Sequence, residues 1–362
     1  MARTFPREIK RIVVKIGSSL ITTDTMKPQR PRLKALVGQM SQIFQGHKQV
    51  VLVSSGAIVL GMGELSEKIR PADLVSLQAR AAIGQAILMR TYSDLFRQNK
   101  IRSAQVLLTW DDFDDRLRYN NARNTLLALL KLGVVPVINE NDTISTEEIK
   151  FGDNDRLSAL VASLIHADLL VILSDVEGFY DLKSSQKKIF EEVRDISEEL
   201  QDLARGTGKK QVAQGGMAAK LQAIQIATQA RIPCVIAHGE TPDVLSRILK
   251  GERIGTFFVE QEQRLLSRKH WISFSAKPKG RLIVDDGAKE ALLKGGRSLL
   301  LPGVVAWEGH FKGNDVVVVA DKNHQEIGRG IVNYSLADLQ KVEDKKGKQE
   351  VIHCDNLVLC KR

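Results

Sequence analysis

The stretch from Asn121 to Thr143 decides the fold, and it reads NARNTLLALLKLGVVPVINENDT. Its first part has the apolar spacing of a helix, and Val134–Ile138 is a short, continuous apolar run. Because a strand that is apolar at every position is buried on both faces, this run is typical of a parallel sheet covered by helices. The stretch therefore predicts one helix–strand unit of an α/β fold.

The same alternation continues through the first three-quarters of the chain. Short β-branched runs predict strands at Ile12–Ile16, Val50–Val53, Ser103–Leu108, Val134–Ile138, Leu169–Leu173 and Pro233–Ala237. Longer periodic runs predict helices at Leu33–Phe44, Asp73–Gln98, Arg118–Leu132, Arg156–His166 and Met217–Ala230. Buried strands that alternate with helices predict a mostly parallel sheet sandwiched by helices.

The pattern changes near Ser273–Gly280, where short strands and turns replace the alternation. Strands are predicted at Arg281–Val284, Gly303–Trp307, Asp315–Ala320, Glu326–Val332 and Val351–Leu359, with one helix at Asp286–Lys294. A chain of 362 residues is also long for a single domain. We therefore expect an α/β domain over residues 1–275 and a small β-rich domain over residues 276–362.

The composition limits the classes of protein to consider. The net charge of +10 is diffuse, since residues 277–362 carry 15 basic and 12 acidic side chains, and this weakly supports a nucleic-acid surface. The three cysteines, Cys234, Cys354 and Cys360, form no CxxC pattern, which argues against a disulfide framework or a zinc site. No apolar run suits a membrane span and the first ten residues suit no secretion signal, so we expect a cytoplasmic protein.

Polar and glycine residues follow the predicted strands at their carboxyl ends, where parallel sheets bind ligands. They are Lys15, Gly17 and Ser18 after the first strand, Ser54, Ser55 and Gly56 after the second, Asn139, Glu140, Asn141 and Asp142 after the fourth, and Ser174, Asp175, Gly178 and Tyr180 after the fifth. Glycines and hydroxyls beside a lysine suit a phosphate or a carboxylate, and the cluster around Asp142 suits an ammonium group and a metal shell. Each loop alone also fits a plain turn or a helix cap.

A further candidate anion site lies in QGGMAAKLQAIQIA, residues 214–227. Gly215 and Gly216 stand at a predicted helix start, with Lys220 one turn further on. Free amides at a helix N-terminus together with a lysine suit a phosphate. A glycine pair that separates two helices is the alternative.

Three polar residues, Asp153, Asn154 and Asp155, stand directly before the amphipathic run of FGDNDRLSALVASLI, Phe151–Ile165. One of them suffices to cap the helix that this run predicts. Capping alone therefore leaves the other two unexplained.

No histidine or cysteine recurs among these loops. Chemistry that deprotonates an alcohol needs a general base near pH 7, whereas a carboxylate nucleophile is already ionised. A carboxylate that attacks a triphosphate needs positive charge instead, which two lysines, a divalent metal and backbone dipoles supply. The loops therefore favour phosphoryl transfer to a carboxylate.

At these motifs the chain resembles the glutamate 5-kinases of the amino-acid kinase family, nearly end to end. The resemblance is carried by VVKIGSSL (Val13–Leu20), VSSGAI (Val53–Ile58), NARNTLLALLKLGVVPVINENDT (Asn121–Thr143), FGDNDRLSALVA (Phe151–Ala162) and SDVEGFY (Ser174–Tyr180). The C-terminal part is similar to a PUA domain in GRSLLLPGVVAWEGHFKGNDVVVV (Gly296–Val319) and IGRGIVNYS (Ile327–Ser335). The resemblance implies an amino-acid kinase fold followed by a PUA-like domain.

The resemblance also implies a reaction, in which ATP and L-glutamate give ADP and L-glutamyl 5-phosphate with the help of Mg²⁺, as the first step of proline biosynthesis. It assigns catalytic roles to Lys15, Lys220, Asp153 and Asp155, of which the two acids orient the lysines and the Mg²⁺ shell. It assigns glutamate binding to Ser55, Gly56, Asp142 and Asn154. It assigns ATP binding to Lys15, Gly17, Ser18, Ser174, Asp175, Gln214, Gly215, Gly216, Met217, Ala218, Ala219 and Lys220.

Two departures from the family pattern concern the nucleotide. Gln214 and Ala219 stand where the family has hydroxyl residues, so two contacts near ATP are missing. Tyr180-Asp181-Leu182 lacks the Asp-Pro pair that usually follows in the family, so the residues at the edge of the adenine pocket are not assigned.

The resemblance further implies feedback inhibition by proline, a homodimer or homotetramer, and partnership with glutamyl phosphate reductase. A sibling kinase for aspartate, acetylglutamate or UMP shares the sheet and the lysines, but it is not expected to combine the GDND segment with a PUA-like tail. An RNA-binding or RNA-modifying protein is the alternative from another class. Few aromatic residues and a charge of only +3 in the tail argue against it, so we expect a regulatory or assembly role there.

Overall fold

The computed structural model describes residues 3–144, 153–181, 188–197, 200, 201, 204, 211–261, 269, 272, 277–341 and 349–360, without the side chains of residues 153, 181, 188 and 211–215. The strands of these residues are β1 (Arg11–Ile16), β2 (Gln49–Ser54), β3 (Arg102–Leu108), β4 (Val134–Glu140), β5 (Leu169–Ser174), β6 (Tyr180–Asp181), β7 (Lys188–Ile189), β8 (Glu192–Val193), β9 (Cys234–His238), β10 (Thr256–Phe258), β11 (Gly280–Val284), β12 (Leu299–Leu300), β13 (Val304–Gly309), β14 (Val316–Ala320), β15 (Glu326–Ile331), β16 (Glu350–Ile352) and β17 (Leu357–Leu359). The helices are α1 (Ser18–Ile21), α2 (Arg30–Gln45), α3 (Ala57–Glu64), α4 (Leu74–Gln98), α5 (Asp111–Asp114), α6 (Arg116–Lys131), α7 (Asp153–Leu164), α8 (Gln211–Gln229), α9 (Val244–Leu249), α10 (Asp286–Leu293) and α11 (Leu336–Gln340).

The main sheet has eight strands in the order β3-β4-β2-β1-β5-β9-β10-β8. The neighbours from β3 to β9 are all parallel, and the last two strands, β10 and β8, run in the opposite direction. Every residue of β5 is buried, as are all residues of β1 and β2 after the first. The prediction of a mostly parallel sheet between helices is confirmed.

Each strand predicted in the first three-quarters of the chain has its counterpart, in β1 to β5 and in β9. Three helices begin three or more residues before the predicted start. Helix α2 begins at Arg30 rather than Leu33. Helix α7 begins at Asp153 rather than Arg156, because acidic and amide side chains are well accommodated in a first turn, at the positive end of a helix. Helix α8 begins at Gln211 rather than Met217, so Gly215 and Gly216 lie inside it.

Helices α3 and α4 pack closely beside the carboxyl end of β2. A Cβ at Gly84 in α4 would lie 1.8 Å from the carbonyl oxygen of Ala57 and 2.5 Å from the amide nitrogen of Gly61. Only glycine therefore permits this approach. Gly56 directly precedes α3 with a φ of +97°, a conformation that glycine adopts without strain. The two helices thus fix the backbone that follows Ser55.

The C-terminal strands form a five-stranded sheet in the order β13-β11-β14-β15-β17, in which only β11 and β14 are parallel. Its apolar side chains, such as Leu282 and Val317, form a separate buried core together with Ile352 of β16. The predicted helix Asp286–Lys294 is confirmed as α10, but the prediction missed another helix in this region. Helix α11 is a second one, and it begins with a capping box between Ser335 and Asp338, which satisfies two free amides.

The predicted C-terminal strand Val351–Leu359 was also wrong as a single element. Strands β16 and β17 occupy its two ends, and a 3₁₀ turn, Cys354–Asn356, separates them. The Nδ1 atom of His353 accepts a hydrogen bond from the amide of Asp355 and so caps this turn.

Two compact units make up the chain. One consists of Met1–Asp112 and Arg116–Arg264, and the other of Phe113–Asp115 and Leu265–Arg362. The boundary expected between residues 275 and 276 falls outside the described residues and stays a prediction, as does the hairpin expected at Thr143–Lys150. No described helix combines the length and the apolar character that crossing a membrane requires.

Candidate active site

Lys15 lies near the carboxyl end of β1, where its side chain is almost fully buried. Its Nζ atom forms an ion pair with Oδ1 of Asp155 at 2.5 Å. Strand β1 has β2 on one side and β5 on the other, so Lys15 stands between the loops that follow those two strands. The lysine is therefore centrally placed at the rim of the sheet.

Lys220 reaches the same carboxylate from helix α8. Its Nζ atom donates to Oδ2 of Asp155 at 3.0 Å. The two ammonium groups thus converge on one carboxyl group, which is fully buried. Lys15, Lys220 and Asp155, all of them predicted site residues, are therefore in direct contact.

Charge coupling sets the ionisation of this cluster. Burial acts to raise the pKa of Asp155, but Lys15 and Lys220 outweigh it, so this pKa lies below the usual carboxyl value. Burial lowers the pKa of Lys15, and the repulsion from Lys220 adds to the lowering while Asp155 opposes it. Two cations around one anion leave a net positive charge where an anionic ligand can approach.

The first turn of α7 presents a second functional side chain. The Oδ1 atom of Asn154 is buried and accepts no hydrogen bond from the described residues. Buried polar atoms without partners are rare in folded proteins. Asn154 therefore retains an acceptor for a ligand beside the lysine cluster. Asp153 belongs to the same turn, and its side chain lies outside the described set.

Arg156 and Trp110 form a contact that the sequence reasoning missed. The guanidinium carbon of Arg156 lies 3.4 Å from the centre of the Trp110 ring. Such a cation–π contact joins the first turn of α7 to the segment that follows β3. The only signal in the sequence was an aromatic residue among acidic ones after a predicted strand.

Buried residues at the end of β2 anchor the predicted ligand-binding loop that follows this strand. The hydroxyl of Ser54 lies 2.9 Å from that of Tyr92, and both side chains are buried. Burial raises the pKa of Tyr92 well above its usual value, so the phenol stays protonated. Ser55 follows and is half-buried, with Gly56 behind it.

The end of β4 carries further polar groups. Asp142 is buried two residues after the strand, in a polar environment. Asn139, at the end of β4 itself, donates from Nδ2 to Oε1 of Gln85 at 2.8 Å. The sequence reasoning noted Asn139 but missed Gln85. This residue lies inside helix α4, and along the sequence it is far from the end of any strand.

The loops after β1 and β5 adjoin each other. The amide of Gly17 donates to the carbonyl of Leu173 at 3.1 Å, and a Cβ at Gly17 would lie 3.8 Å from Nζ of Lys15. The hydroxyl of Ser174 donates to Oδ1 of Asp175 at 2.9 Å. Asp175 is exposed, and its charge favours the protonated form of Lys15. Ser18, the first residue of α1, is half-buried beside them.

The helix start predicted at Gly215-Gly216 was wrong. Because α8 begins at Gln211, the amides of Gly215 and Gly216 are bonded within the helix and are not free for a phosphate. The stretch Gly216–Lys220 is half-buried, and a Cβ at Gly216 would meet no atom within 4 Å. The side chain of Gln214 lies outside the described set, and the residues after Asp181 that bear on the adenine pocket do as well.

The family models match two segments of the chain. The model of the amino acid kinase family matches residues 10–238, and that of the PUA domain matches residues 280–354.

The chain belongs to the amino acid kinase family.

Curated relatives of this kinase cover nearly its whole length. It is 44% identical to the glutamate 5-kinase of Thermoanaerobacter sp. (strain X514), over 97% of this chain and 98% of the relative. It is 45% identical to the glutamate 5-kinase of Dictyoglomus turgidum and 42% identical to that of Nitrosospira multiformis, each over 98% of both chains. The kinase therefore has the amino-acid kinase fold followed by a PUA domain, as the sequence motifs predicted.

Proposed function

We propose that this kinase transfers the γ-phosphoryl group of ATP to the γ-carboxylate of L-glutamate, giving ADP and L-glutamyl 5-phosphate. This reaction is the first step of proline biosynthesis from glutamate. The observation that carries the proposal is the convergence of Lys15 and Lys220 on buried Asp155. The full-length relatives named glutamate 5-kinase support the choice of substrate.

The chemistry needs charge compensation rather than proton transfer. A carboxylate oxygen of glutamate forms a bond to the γ-phosphorus, and the bond from that phosphorus to the bridging oxygen of ADP breaks, with its electron pair left on ADP. The nucleophile is ionised at neutral pH, so no base is required. The two ammonium groups offset the repulsion between the carboxylate and the triphosphate, and Asp155 holds them in place.

Glutamate binding is assigned to Ser55, Gly56, Asp142 and Asn154. Support comes from the free acceptor of Asn154 and from the fixed backbone after Ser55. Asp142, which is buried at the end of β4, would meet the α-ammonium group of the substrate.

ATP binding is assigned to the loops after β1 and β5 and, by family resemblance alone, to residues 214–220 of α8, where the amides of Gly215 and Gly216 are bonded within the helix. The residues are Lys15, Gly17, Ser18, Ser174, Asp175, Gln214, Gly215, Gly216, Met217, Ala218, Ala219 and Lys220. The hydrogen bond from the amide of Gly17 to the carbonyl of Leu173 supports a single site formed by the two loops.

Mg²⁺ fits this site as a companion of the nucleotide. Both oxygens of Asp155 contact ammonium groups, whereas one oxygen of Asp175 is left after its bond to Ser174. Mg²⁺ is usually held by one or two carboxylates together with substrate phosphates and water, and it neutralises phosphate charge when bound. Asp175 is the described residue that suits this role, and Asp153 is assigned to the metal shell by family resemblance alone.

The remaining assignments concern the surroundings of the reaction. The PUA domain would have a regulatory or assembly role, with proline as feedback inhibitor, a homodimer or homotetramer as the active form, and glutamyl phosphate reductase as a partner. RNA binding by this domain is the less favoured alternative. A cytoplasmic location is supported by the free state of Cys234, Cys354 and Cys360.

Trapping the acyl phosphate tests the reaction. Incubation with ATP, Mg²⁺, L-glutamate and hydroxylamine should yield a hydroxamate, and aspartate and acetylglutamate should yield little. Equal yields from all three acceptors, or none from L-glutamate, would contradict the proposal.

A further inference from the structure

Gln85 and Asn139 form a buried amide pair between helix α4 and the end of β4. The Nδ2 atom of Asn139 donates to Oε1 of Gln85 at 2.8 Å. The other two polar atoms of the pair, Nε2 of Gln85 and Oδ1 of Asn139, are also buried. Neither of them has a hydrogen-bond partner among the described residues. One donor and one acceptor therefore stay unused side by side.

The choice of amide orientation does not remove this feature. If both amide groups are turned over, the donor and the acceptor of the existing bond exchange places, and one NH₂ group and one carbonyl oxygen are again left over. Unsatisfied buried groups destabilise a fold. A molecule that supplies one acceptor and one donor would satisfy both.

The pair lies on the side of the sheet assigned to glutamate. The register between β2 and β4 pairs Val53 with Ile138, and one step further it brings Asn139 level with Ser54. Gln85 follows Gly84, whose close approach to Ala57 fixes α4 beside the turn after Ser55. The position of Gln85 is therefore set by backbone packing rather than by the pair itself.

The distance from the lysines indicates which end of the substrate meets the pair. Strand β4 is separated from β1 by β2, and two strand spacings amount to about 10 Å. Because the reacting γ-carboxylate must lie near Lys15, the opposite end of glutamate points toward β4. That end carries one α-carboxylate, which accepts hydrogen bonds, and one α-ammonium group, which donates them.

We propose that Gln85 is a substrate-binding residue that donates from Nε2 to the α-carboxylate of glutamate. Its bond to Asn139 keeps the free oxygen of that amide directed at the neighbouring α-ammonium group. Gln85 thereby selects an α-amino acid over acceptors that lack the α-carboxylate. The inference rests on the proposed function, since it deepens the assignment of the same site.

Steady-state kinetics of Gln85→Leu test the inference. We expect the KM for L-glutamate to rise about 10- to 100-fold, the usual loss for a hydrogen bond to a charged group, while the KM for ATP is unchanged. The competitive Ki of 4-aminobutyrate, which is glutamate without its α-carboxylate, should stay the same. Gln98→Leu, at an exposed position of the same helix, is the matched control and should change none of these constants.

A second variant separates binding from packing. Gln85→Glu keeps the size of the side chain and an acceptor for Asn139, but it places a negative charge against the α-carboxylate, so its KM for L-glutamate should exceed that of Gln85→Leu. A wild-type KM for L-glutamate in either variant overturns the inference, with or without a lower melting temperature. So does an equal rise in the KM for ATP or in the Ki of 4-aminobutyrate. If the wild type gives no hydroxamate from L-glutamate, the proposed function itself fails, and the inference fails with it.

Discussion

Asp155 determines the arrangement of the charged groups at the rim of the sheet. It is buried and forms ion pairs with Lys15 on β1 and with Lys220 on α8. The sequence offered two candidates for this role, Asp153 and Asp155, and residue types alone could not rank them. The choice depends on where α7 begins, because the starting residue sets which side chain of the first turn faces the sheet.

Lys15→Ala and Lys220→Ala should each lower kcat by about 100-fold or more, because each removes a charge that acts on the transferred phosphoryl group. The KM for glutamate should change much less, since the lost interaction is strongest in the transition state. Lys34→Ala, at an exposed position of α2, is the control. A kcat that equals that of the control in either variant would contradict the assigned role.

The acid stability of the fold should depend on Asp155. Its folded-state pKa is lowered, so its ionised form stabilises the fold above the usual carboxyl pKa of about 4, and this contribution is lost as the pH falls through the lower, folded-state value. In denaturant titrations, the free energy of unfolding should therefore fall more steeply between about pH 5 and about pH 2 in the wild type than in Asp155→Asn. Parallel pH profiles would show that the carboxylate is not coupled to folding.

At the level of elements, the central strands could be predicted because each is a continuous apolar run. Strands β8 and β10, of two and three residues, could not, because pairing with neighbours rather than local pattern defines them. The contacts of Gln85 with Asn139 and of Arg156 with Trp110 join residues that are far apart in the sequence, so no local motif predicts them. The start of α8 was missed because a glycine pair was interpreted as a helix boundary, whereas the helix passes through it.

The close approach of α3 and α4 predicts that alanine substitutions at two glycines, Gly84 and Gly38, change the free energy of unfolding in opposite directions. Gly84→Ala should destabilise the fold by about 1–3 kcal/mol or more, because the new methyl group meets backbone atoms of α3. Gly38→Ala, in the interior of α2, has nothing within 4 Å of the added Cβ and should stabilise by up to about 1 kcal/mol. Chemical denaturation of both variants measures the difference, and similar free energies of unfolding would disprove the steric argument.

At the level of the whole molecule, the chain consists of two compact units, and the residues assigned to catalysis lie in one of them. The kinase unit contains every residue assigned to the reaction, and the PUA unit has a separate sheet and a separate core. The sequence predicted both units from a change of pattern, because each has its own periodicity. It could not predict what the PUA unit binds, since neither a charge cluster nor a run of aromatic residues marks a surface.

Binding of the full chain to structured RNA should be weak at low salt and should show no steep salt dependence. The reason is that RNA readers need stacked rings and concentrated positive charge, and the C-terminal part has little of either. A gel shift over a range of salt concentrations measures this. Tight binding that weakens sharply with salt would favour the RNA alternative for the PUA unit.

The strand order has a consequence for how such an enzyme can change its acceptor. Strand β1 has the loops after β2 and β4, which are assigned to glutamate, on one flank and the loop after β5, which is assigned to ATP, on the other. Under the proposed function, a new carboxylic acid could be accommodated by grafting residues 54–56 and 139–144 from a relative, while Asp155 and the nucleotide flank stay untouched. Such a chimera should keep its affinity for ATP, because no grafted residue belongs to the half of the sheet that begins at β5.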